Sequence, residues 1–269
     1  MINEIFQFEF MLRALYAGLC VSLICGILGV FVVLRKQAFI ADGVAHASLA
    51  GIALGLLLGS NPILGAVAVA IVMSIALTYI KQNSTINFDS SIGILYSFFF
   101  AVGILIISSI SSFRPDLVTF LFGSLLSITW IEVVYSLVLL VCVGIFIGVT
   151  YSKIVYMTFD NEGAKVRGVN VKLLEYILNI LVSIAVIVSV KLMGVVLVTA
   201  MLIIPATFAK LVAKNFSQVI WLSCIYAVVS TVMGIVLSYI LNLPSGATVV
   251  ICQTILLFVV VLGKAIKGK

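Results

Sequence analysis

Charged residues are scarce in this chain: only 9% of its 269 residues are Asp, Glu, Lys or Arg, against about a quarter in soluble domains. They are absent from six long stretches, residues 14–34, 47–80, 90–113, 133–152, 192–209 and 215–263. A run of about 20 apolar residues is long enough to cross a bilayer as a helix. Since 64% of the residues are hydrophobic, a water-soluble fold is excluded.

The apolar stretches also lack the alternation of polar and apolar residues that barrel strands show. Lipid offers no hydrogen-bond partners, so a membrane-spanning backbone must satisfy its own polar groups as a helix or a closed barrel. The sequence therefore predicts an all-α fold, a polytopic transmembrane helical bundle in a single domain over residues 1–269. The first twelve residues carry Glu4 and Glu9 without the basic opening of a signal peptide, so the first helix is expected to stay in the mature protein.

Several chemical motifs are missing as well. No GxxxxGK[ST] phosphate-binding loop is present, so we do not expect this chain to hydrolyse ATP itself. HExxH and GxSxG are absent, which argues against a zinc protease and a serine hydrolase. The five cysteines form no CxxC pair and are interpreted as small packing residues.

Breaks at charges, Pro and Gly place nine spans near residues 12–34, 38–58, 63–80, 90–112, 130–151, 174–190, 193–212, 217–241 and 246–264. We expect eight or nine of them to cross the membrane. Segment 117–128 is too short to cross and is predicted to be a re-entrant or interfacial helix.

The distribution of basic residues predicts the orientation. If the loop after the first span is cytoplasmic, twelve basic residues face the cytoplasm: Arg35, Lys36, Lys81, Lys153, Lys165, Arg167, Lys172, Lys210, Lys214, Lys264, Lys267 and Lys269. Only Arg13, Arg114 and Lys191 then face outside. The positive-inside rule therefore predicts an outer N-terminus and a cytoplasmic C-terminus. The net charge of +6 is explained by this asymmetry, and no nucleic-acid partner is expected.

Ionisable residues inside membrane helices are costly and are functional candidates. The single histidine, His46, follows Asp42 by four residues, so the two side chains lie on one helix face. Both suit zinc, manganese or ferrous iron, and a two-fold dimer would supply four ligands. Gly43, Ala47 and Gly51 have the spacing that lets membrane helices approach closely, consistent with such a dimer. The alternative is an Asp–His pair that only stabilises the bundle.

Other acidic residues have simpler interpretations. Asp89 and Asp116 each precede an apolar segment and are expected to cap helices, with a secondary polar role toward a cation as the alternative. Glu132 and Glu175 lie at predicted span ends and are interpreted as interfacial. The longest polar stretch, residues 152–175, is predicted to be cytoplasmic and is either a docking surface or an ordinary solvated loop.

Four segments together resemble a known family: ADGVAHASLAGIALGLLLGSNP, RPDLVTFLFGSLLSIT, VKLMGVVLVTAMLIIPATFAKLVA and PSGATVVIC. They resemble the permeases of ATP-binding-cassette (ABC) importers for zinc, manganese and iron, nearly end to end. The AHASL and LFG–LLSIT segments resemble zinc-type members more closely than manganese-type ones. The resemblance implies that Asp42 and His46 contact the transported metal. It also implies that the loop of about residues 152–175 couples to the ATPase through Phe159, Asp160, Glu162, Ala164 and Gly168.

The resemblance further implies the partners and the location. We expect a second copy of this chain forming a homodimeric pore, separate ATPase subunits that use ATP, and an extracytoplasmic metal-binding protein, in a bacterial-type cell membrane. No permanently bound cofactor is expected, only the transported zinc or manganese. The rival function is a secondary transporter driven by a proton or sodium gradient, although no inverted repeat is evident. An intramembrane metal-dependent enzyme ranks last, because it would need more ligands than one histidine and its neighbours supply.

Overall fold

The computed structural model describes residues 9–109, 128–241 and 243–267, and every regular element in these ranges is a helix. Ten α-helices follow in order: α1 Glu9–Leu34, α2 Ile40–Leu57, α3 Pro62–Asn83, α4 Phe88–Ser108, α5 Trp130–Phe159, α6 Asn161–Val166, α7 Val171–Met193, α8 Val195–Val212, α9 Phe216–Leu241 and α10 Ser245–Lys267. All except α6 are long and apolar enough to cross a membrane. The predicted helical membrane fold is confirmed.

The nine predicted spans correspond to these nine long helices, with shifted ends. The predicted span 130–151 continues to Phe159, and the predicted span 174–190 extends over Val171–Met193. The prediction treats charges as breaks and so ends the fifth span near Lys153, whereas helix backbone continues through Ser152 and Lys153 until Asp160 adopts an extended conformation. The predicted re-entrant helix over 117–128, except its last residue, lies outside the described residues.

Two compact units divide the described residues. The α2–α4 unit comprises those within Leu34–Pro115 and Val141–Val188. The α8–α10 unit comprises those within Met1–Val33, Asp116–Leu140 and Ser189–Lys269. Helices α5 and α7 contribute residues to both units.

In the α2–α4 unit, α2 packs against both α3 and α4. Local sequence sets the ends of these helices. Gly59, with φ +63°, ends α2, and the Ser60 N–H donates to the Gly55 carbonyl at 2.8 Å. Asn61 then caps α3 by accepting from the Ile63 N–H at 3.0 Å, with Pro62 at the first helical position. The metal-site candidates on α2 are thus held between two tightly packed neighbours.

In the α8–α10 unit, helices α8, α9 and α10 pack against one another, and α1 contributes close backbone contacts. A Cβ added at Gly26 would lie 3.0 Å from the Cys224 Cα, and the Ser223 hydroxyl donates to the Gly26 carbonyl at 2.8 Å. Glycine lets these backbones approach, as small residues do in membrane helix pairs. At the start of α5, Glu132 forms an ion pair with Lys191 of α7.

Candidate metal site

Asp42 and His46 lie on the first two turns of α2 and face the same direction. The Asp42 Oδ1 and His46 Nε2 atoms are 3.6 Å apart. This distance exceeds that of a hydrogen bond, so the two side chains are neighbours without a direct bond between them. The Asp42 side chain is 55% exposed and that of His46 is 26% exposed, so both are open to a further ligand.

The separation suits a shared metal ion. Two ligand atoms at about 2.05 Å from a tetrahedral zinc ion stand roughly 3.3 Å apart, close to the spacing seen here. Within the described ranges, however, no group of three or more His, Cys, Asp or Glu side chains could hold an ion. Within those ranges, Asp42 and His46 therefore offer two candidate ligand atoms from one chain.

Two aromatic residues that the sequence analysis did not single out surround the imidazole. The His46 ring centroid is 5.3 Å from that of Tyr96 and 6.1 Å from that of Phe100, both on α4. The Phe100 contact is edge-on at 88°. These rings fix the position of the imidazole against α4. The four-residue spacing of Tyr96 and Phe100 is a helical signal, but Phe98 and Phe99 lie beside it, so the pattern alone could not identify the pair.

The small residues of α2 pack within the chain, which corrects their assignment to the dimer. Gly43, Ala47 and Gly51 are all buried. A Cβ at Gly43 would lie 2.5 Å from the Ile92 Cγ2, and one at Gly51 would lie 2.5 Å from the Ala66 Cα. Their stripe is therefore already occupied by α3 and α4, whereas Asp42 remains exposed on another face of α2.

A short structured segment, residues 160–170, connects α5 to α7, and we call it the coupling segment after the role that the family resemblance implies. Asp160 caps α6 by accepting a hydrogen bond from the Gly163 N–H at 2.8 Å. Ala164 is fully buried, and the Val169 N–H donates to its carbonyl at 3.0 Å. Gly168, with φ +77°, turns the chain toward α7.

The predicted docking residues fall into two groups, with Asp160, Glu162, Ala164 and Gly168 in this segment and Phe159 just before it. Asp160, Ala164 and Gly168 shape the turn, whereas Glu162 and Phe159 are exposed. Val166, which the sequence analysis did not select, is 88% exposed. The coupling segment thus presents apolar and charged groups on a defined backbone.

The two secondary candidates have different outcomes. Asn87, not Asp89, occupies the N-cap position of α4, and the Asn87 side chain makes no capping hydrogen bond to the helix. Asp89 lies in the first turn, where its carboxylate still complements the helix dipole, and it is exposed. The capping prediction for Asp89 is wrong because the chain leaves its extended conformation two residues earlier. Asp116 lies outside the described residues.

Glu175, interpreted from the sequence as interfacial, is buried in a charged cluster near the start of α7. Its side chain is 6% exposed and forms ion pairs with Arg35, which is 7% exposed, and with Lys81, whose Nζ lies 2.6 Å from Oε1. Gln82 Nε2 donates to Glu175 Oε2 at 3.3 Å. Sequence reasoning missed this cluster because its members are 94 and 140 residues from Glu175. The sequence does hold one signal: Glu175, Arg35 and Lys81 all lie at span ends that are predicted to face the cytoplasm.

Arg35 lies in the turn between α1 and α2, next to Lys36, which has φ +57°. A non-glycine residue in this region costs about 1–2 kcal/mol, so surrounding contacts must hold the turn. Burial lowers the pKa of the Arg35 guanidinium from its ordinary value, while the Glu175 carboxylate opposes that change. Arginine is always protonated in proteins, so Arg35 keeps its positive charge beside the Glu175 carboxylate.

Comparison with known proteins covers nearly the whole chain. The sequence model of the ABC 3 transport family matches residues 7–264. The manganese transport system membrane protein MntC of Listeria monocytogenes is 34% identical over 262 residues, which cover 96% of this chain and 92% of the relative. The high-affinity zinc uptake system membrane protein ZnuB of Haemophilus influenzae is 33% identical over 257 residues, covering 93% and 96%.

Among solved structures, PsaBC from Streptococcus pneumoniae in complex with Fab superposes with a TM-score of 0.84 at 30% identity. The match covers 96% of this chain and 93% of that chain. The family match includes Asp42, His46 and the coupling segment.

Proposed function

The chain belongs to the ABC 3 transport family and is the permease of an ABC-type metal importer, and from that premise we propose that it moves a divalent transition metal through a pore shared by two copies. The observation that carries the proposal is the Asp42–His46 pair, two ligand atoms 3.6 Å apart on α2. Each copy contributes one imidazole and one carboxylate, and together they complete a four-ligand shell. The metal is the cargo, so the site holds it only transiently.

Zinc is the metal that we propose first. Imidazole and carboxylate ligands both suit zinc, and a given nitrogen and oxygen site binds zinc more tightly than manganese(II) or iron(II). The relatives named for manganese and for zinc match this chain to similar extents, 34% and 33% identity. Manganese is therefore the first alternative and iron the second, and both are included in the test below.

The coupling segment supports a role for a separate ATPase subunit. We place it on the cytoplasmic side, with the N-terminus outside and the C-terminus inside, because the basic span ends then face the cytoplasm. Exposed Phe159 lies two residues before α6, exposed Val166 is the last residue of α6, and exposed Glu162 lies between them. A short helix that presents such groups fits a cleft of an ATPase. An extracytoplasmic binding protein would deliver the metal to the opposite side.

Transport by alternating access follows from these parts. The delivered ion enters between the two copies and is held by Asp42 and His46 from both. ATP-driven closure of the ATPase subunits moves the coupling segments, and the separated half-sites then release the ion to the cytoplasm. Two ligands hold a metal far more weakly than four, so separating the copies is sufficient for release.

Uptake into proteoliposomes tests this function. The permease is reconstituted with its ATPase and binding protein, and the accumulation of zinc, manganese and iron is compared with and without ATP. We expect zinc accumulation that requires ATP and persists when ionophores collapse ion gradients. Uptake that does not require ATP but is lost when the proton or sodium gradient is collapsed would show a secondary transporter. Manganese uptake that zinc does not inhibit would show that manganese is the cargo.

Val166 provides a test of the docking surface. Val166→Asp should weaken capture of the ATPase subunit by roughly tenfold, because a charge would be buried in the apolar contact. The fold should survive, since Val166 is 88% exposed. Binding of the purified ATPase to the permease is measured by co-purification and titration. The control is Leu58→Asp, which places the same charge on a 76% exposed residue after α2, on the opposite predicted side of the membrane. Equal capture by both variants and the wild type would remove the coupling segment from the interface.

A further inference from the structure

The cluster of Arg35, Lys81 and Glu175 connects three parts of the α2–α4 unit. Glu175 lies in α7, five residues after the coupling segment ends. Arg35 lies in the turn that leads into α2, and Lys81 lies in the last turn of α3. Both cations contact the same Glu175 oxygen, Oε1. A single carboxylate thus joins the helix after the coupling segment to two segments that border the metal-site helix.

Both routes from Glu175 lead directly to α2. The first runs along the chain, because Arg35 is seven residues before Asp42 and the intervening turn is short. The second runs through packing along α3, because a Cβ added at Gly43 of α2, next to Asp42, would lie 3.2 Å from the Cε of Met73, two turns before Lys81 in α3. A shift of the first turns of α7 would therefore act on α2 in two ways, through the turn that precedes α2 and through α3, which packs against it.

The contacts between α7 and α3 extend beyond the ion pair. Gln82 Nε2 donates to Glu175 Oε2 at 3.3 Å and lies 3.5 Å from the Lys172 carbonyl. One helical turn further along α7, the Asn179 amide donates to the Thr78 hydroxyl at 2.9 Å. These bonds hold the beginning of α7 to the end of α3, so the two helix ends should move together.

Membrane anchoring does not explain the burial of this cluster. Basic residues at span ends usually extend toward water, whereas Arg35 and Glu175 are 7% and 6% exposed. Buried ion pairs contribute little net stability, because desolvation offsets their attraction. The Arg35 Nη1 atom is also buried without a hydrogen-bond partner among the described residues. A guanidinium with a spare buried donor can exchange acceptors when its surroundings move, as a two-state element requires.

We propose that Glu175 is a positioning residue whose bonds to Arg35 and Lys81 transmit movement of the coupling segment to α2, and so control when Asp42 and His46 hold or release the metal. This inference rests on the proposed function, in which the coupling segment docks on the ATPase and the pair binds the cargo. Glu175 itself lies outside both the coupling segment and the Asp42–His46 pair. Its loss should therefore separate ATP hydrolysis from metal transport without abolishing either partner's binding.

The test compares metal transported per ATP hydrolysed in the full reconstituted complex. For Glu175→Gln we expect assembly and ATP hydrolysis within about twofold of wild type, while zinc uptake per ATP falls roughly tenfold, within the range for a residue on a coupling route. Glu175→Asp, which keeps the charge, should recover part of the coupling. The matched control is Glu132→Gln, which removes a carboxylate–lysine pair with Lys191 in the α8–α10 unit and should leave the ratio unchanged.

A second variant keeps the proposal testable if Glu175→Gln does not assemble. Lys81→Met leaves the Arg35–Glu175 pair as a balanced pair, so the protein should fold, and the zinc-to-ATP ratio should fall by about threefold. A wild-type ratio in Glu175→Gln, or in Lys81→Met where the first variant cannot be assembled, overturns the role of this cluster while ATP-dependent uptake by the wild type stands. Absence of ATP-dependent uptake by the wild-type complex would instead overturn the proposed function.

Discussion

His46→Ala should reduce ATP-dependent zinc uptake by roughly 100-fold or more, because removing a direct metal ligand costs at least as much as removing the groups that orient one. The shared site loses one imidazole from each copy, so only two carboxylates remain. His46 is the single histidine of the chain, and no other imidazole can replace it. Uptake is measured as accumulated zinc in proteoliposomes, normalised to the amount of assembled complex.

The abundance of the variant should stay normal, since the His46 side chain is 26% exposed and its loss opens no large buried cavity. Ser48→Ala is the matched control on the same helix: its hydroxyl donates to the Ala45 carbonyl, away from the pair, and uptake should not change. Complexes that combine one wild-type and one His46→Ala copy should also be impaired, because the site is shared. Wild-type uptake by His46→Ala at normal abundance would remove His46 from the metal path.

Gly51→Ala should destabilise the protein by about 1–3 kcal/mol, the cost of overpacking a well-packed contact. The added Cβ would lie 2.5 Å from the Ala66 Cα and 2.7 Å from the Ala66 nitrogen, and backbone atoms cannot rotate away. Helices α2 and α3 would have to separate. We therefore expect a melting temperature several degrees lower in detergent and less folded protein in the membrane.

Gly93→Ala is the matched control for this substitution. Gly93 lies in α4, which packs against the same helix, but nothing lies within 4 Å of an added Cβ. Alanine is the better helix former by about 1 kcal/mol, so this change should leave stability unchanged or raise it. Equal thermal stability of the Gly51 and Gly93 variants would contradict the close packing of α2 on α3.

The spans could be predicted because a membrane helix depends on local composition alone. Any 20-residue stretch without charges, such as those in α1 and α9, must form a helix once it lies in lipid. The ends were harder to predict, because helix backbone does not stop at the first polar residue: α5 passes Ser152 and Lys153 before Asp160 ends it. Helix ends depend on capping geometry, which composition does not reveal.

The proximity of Asp42 and His46 could be predicted for the same reason: they are four residues apart on one helix, so their contact is local. The partners of Glu175 could not, because ion pairs across 94 and 140 residues depend on how the helices pack. The stripe of Gly43, Ala47 and Gly51 was identified correctly as a close-packing surface but assigned to the wrong neighbour. Spacing shows that a helix can be approached, and not which helix approaches it.

The central claim is that two copies of this chain build one metal site from Asp42 and His46. Its most direct measurement is the stoichiometry and first coordination shell of zinc bound to the purified dimeric permease, by metal analysis and zinc X-ray absorption spectroscopy. We expect about one zinc ion per two chains, with imidazole nitrogen and carboxylate oxygen in a four-coordinate shell that is lost in His46→Ala. Zinc bound at one ion per chain, or a shell without imidazole, would contradict the account.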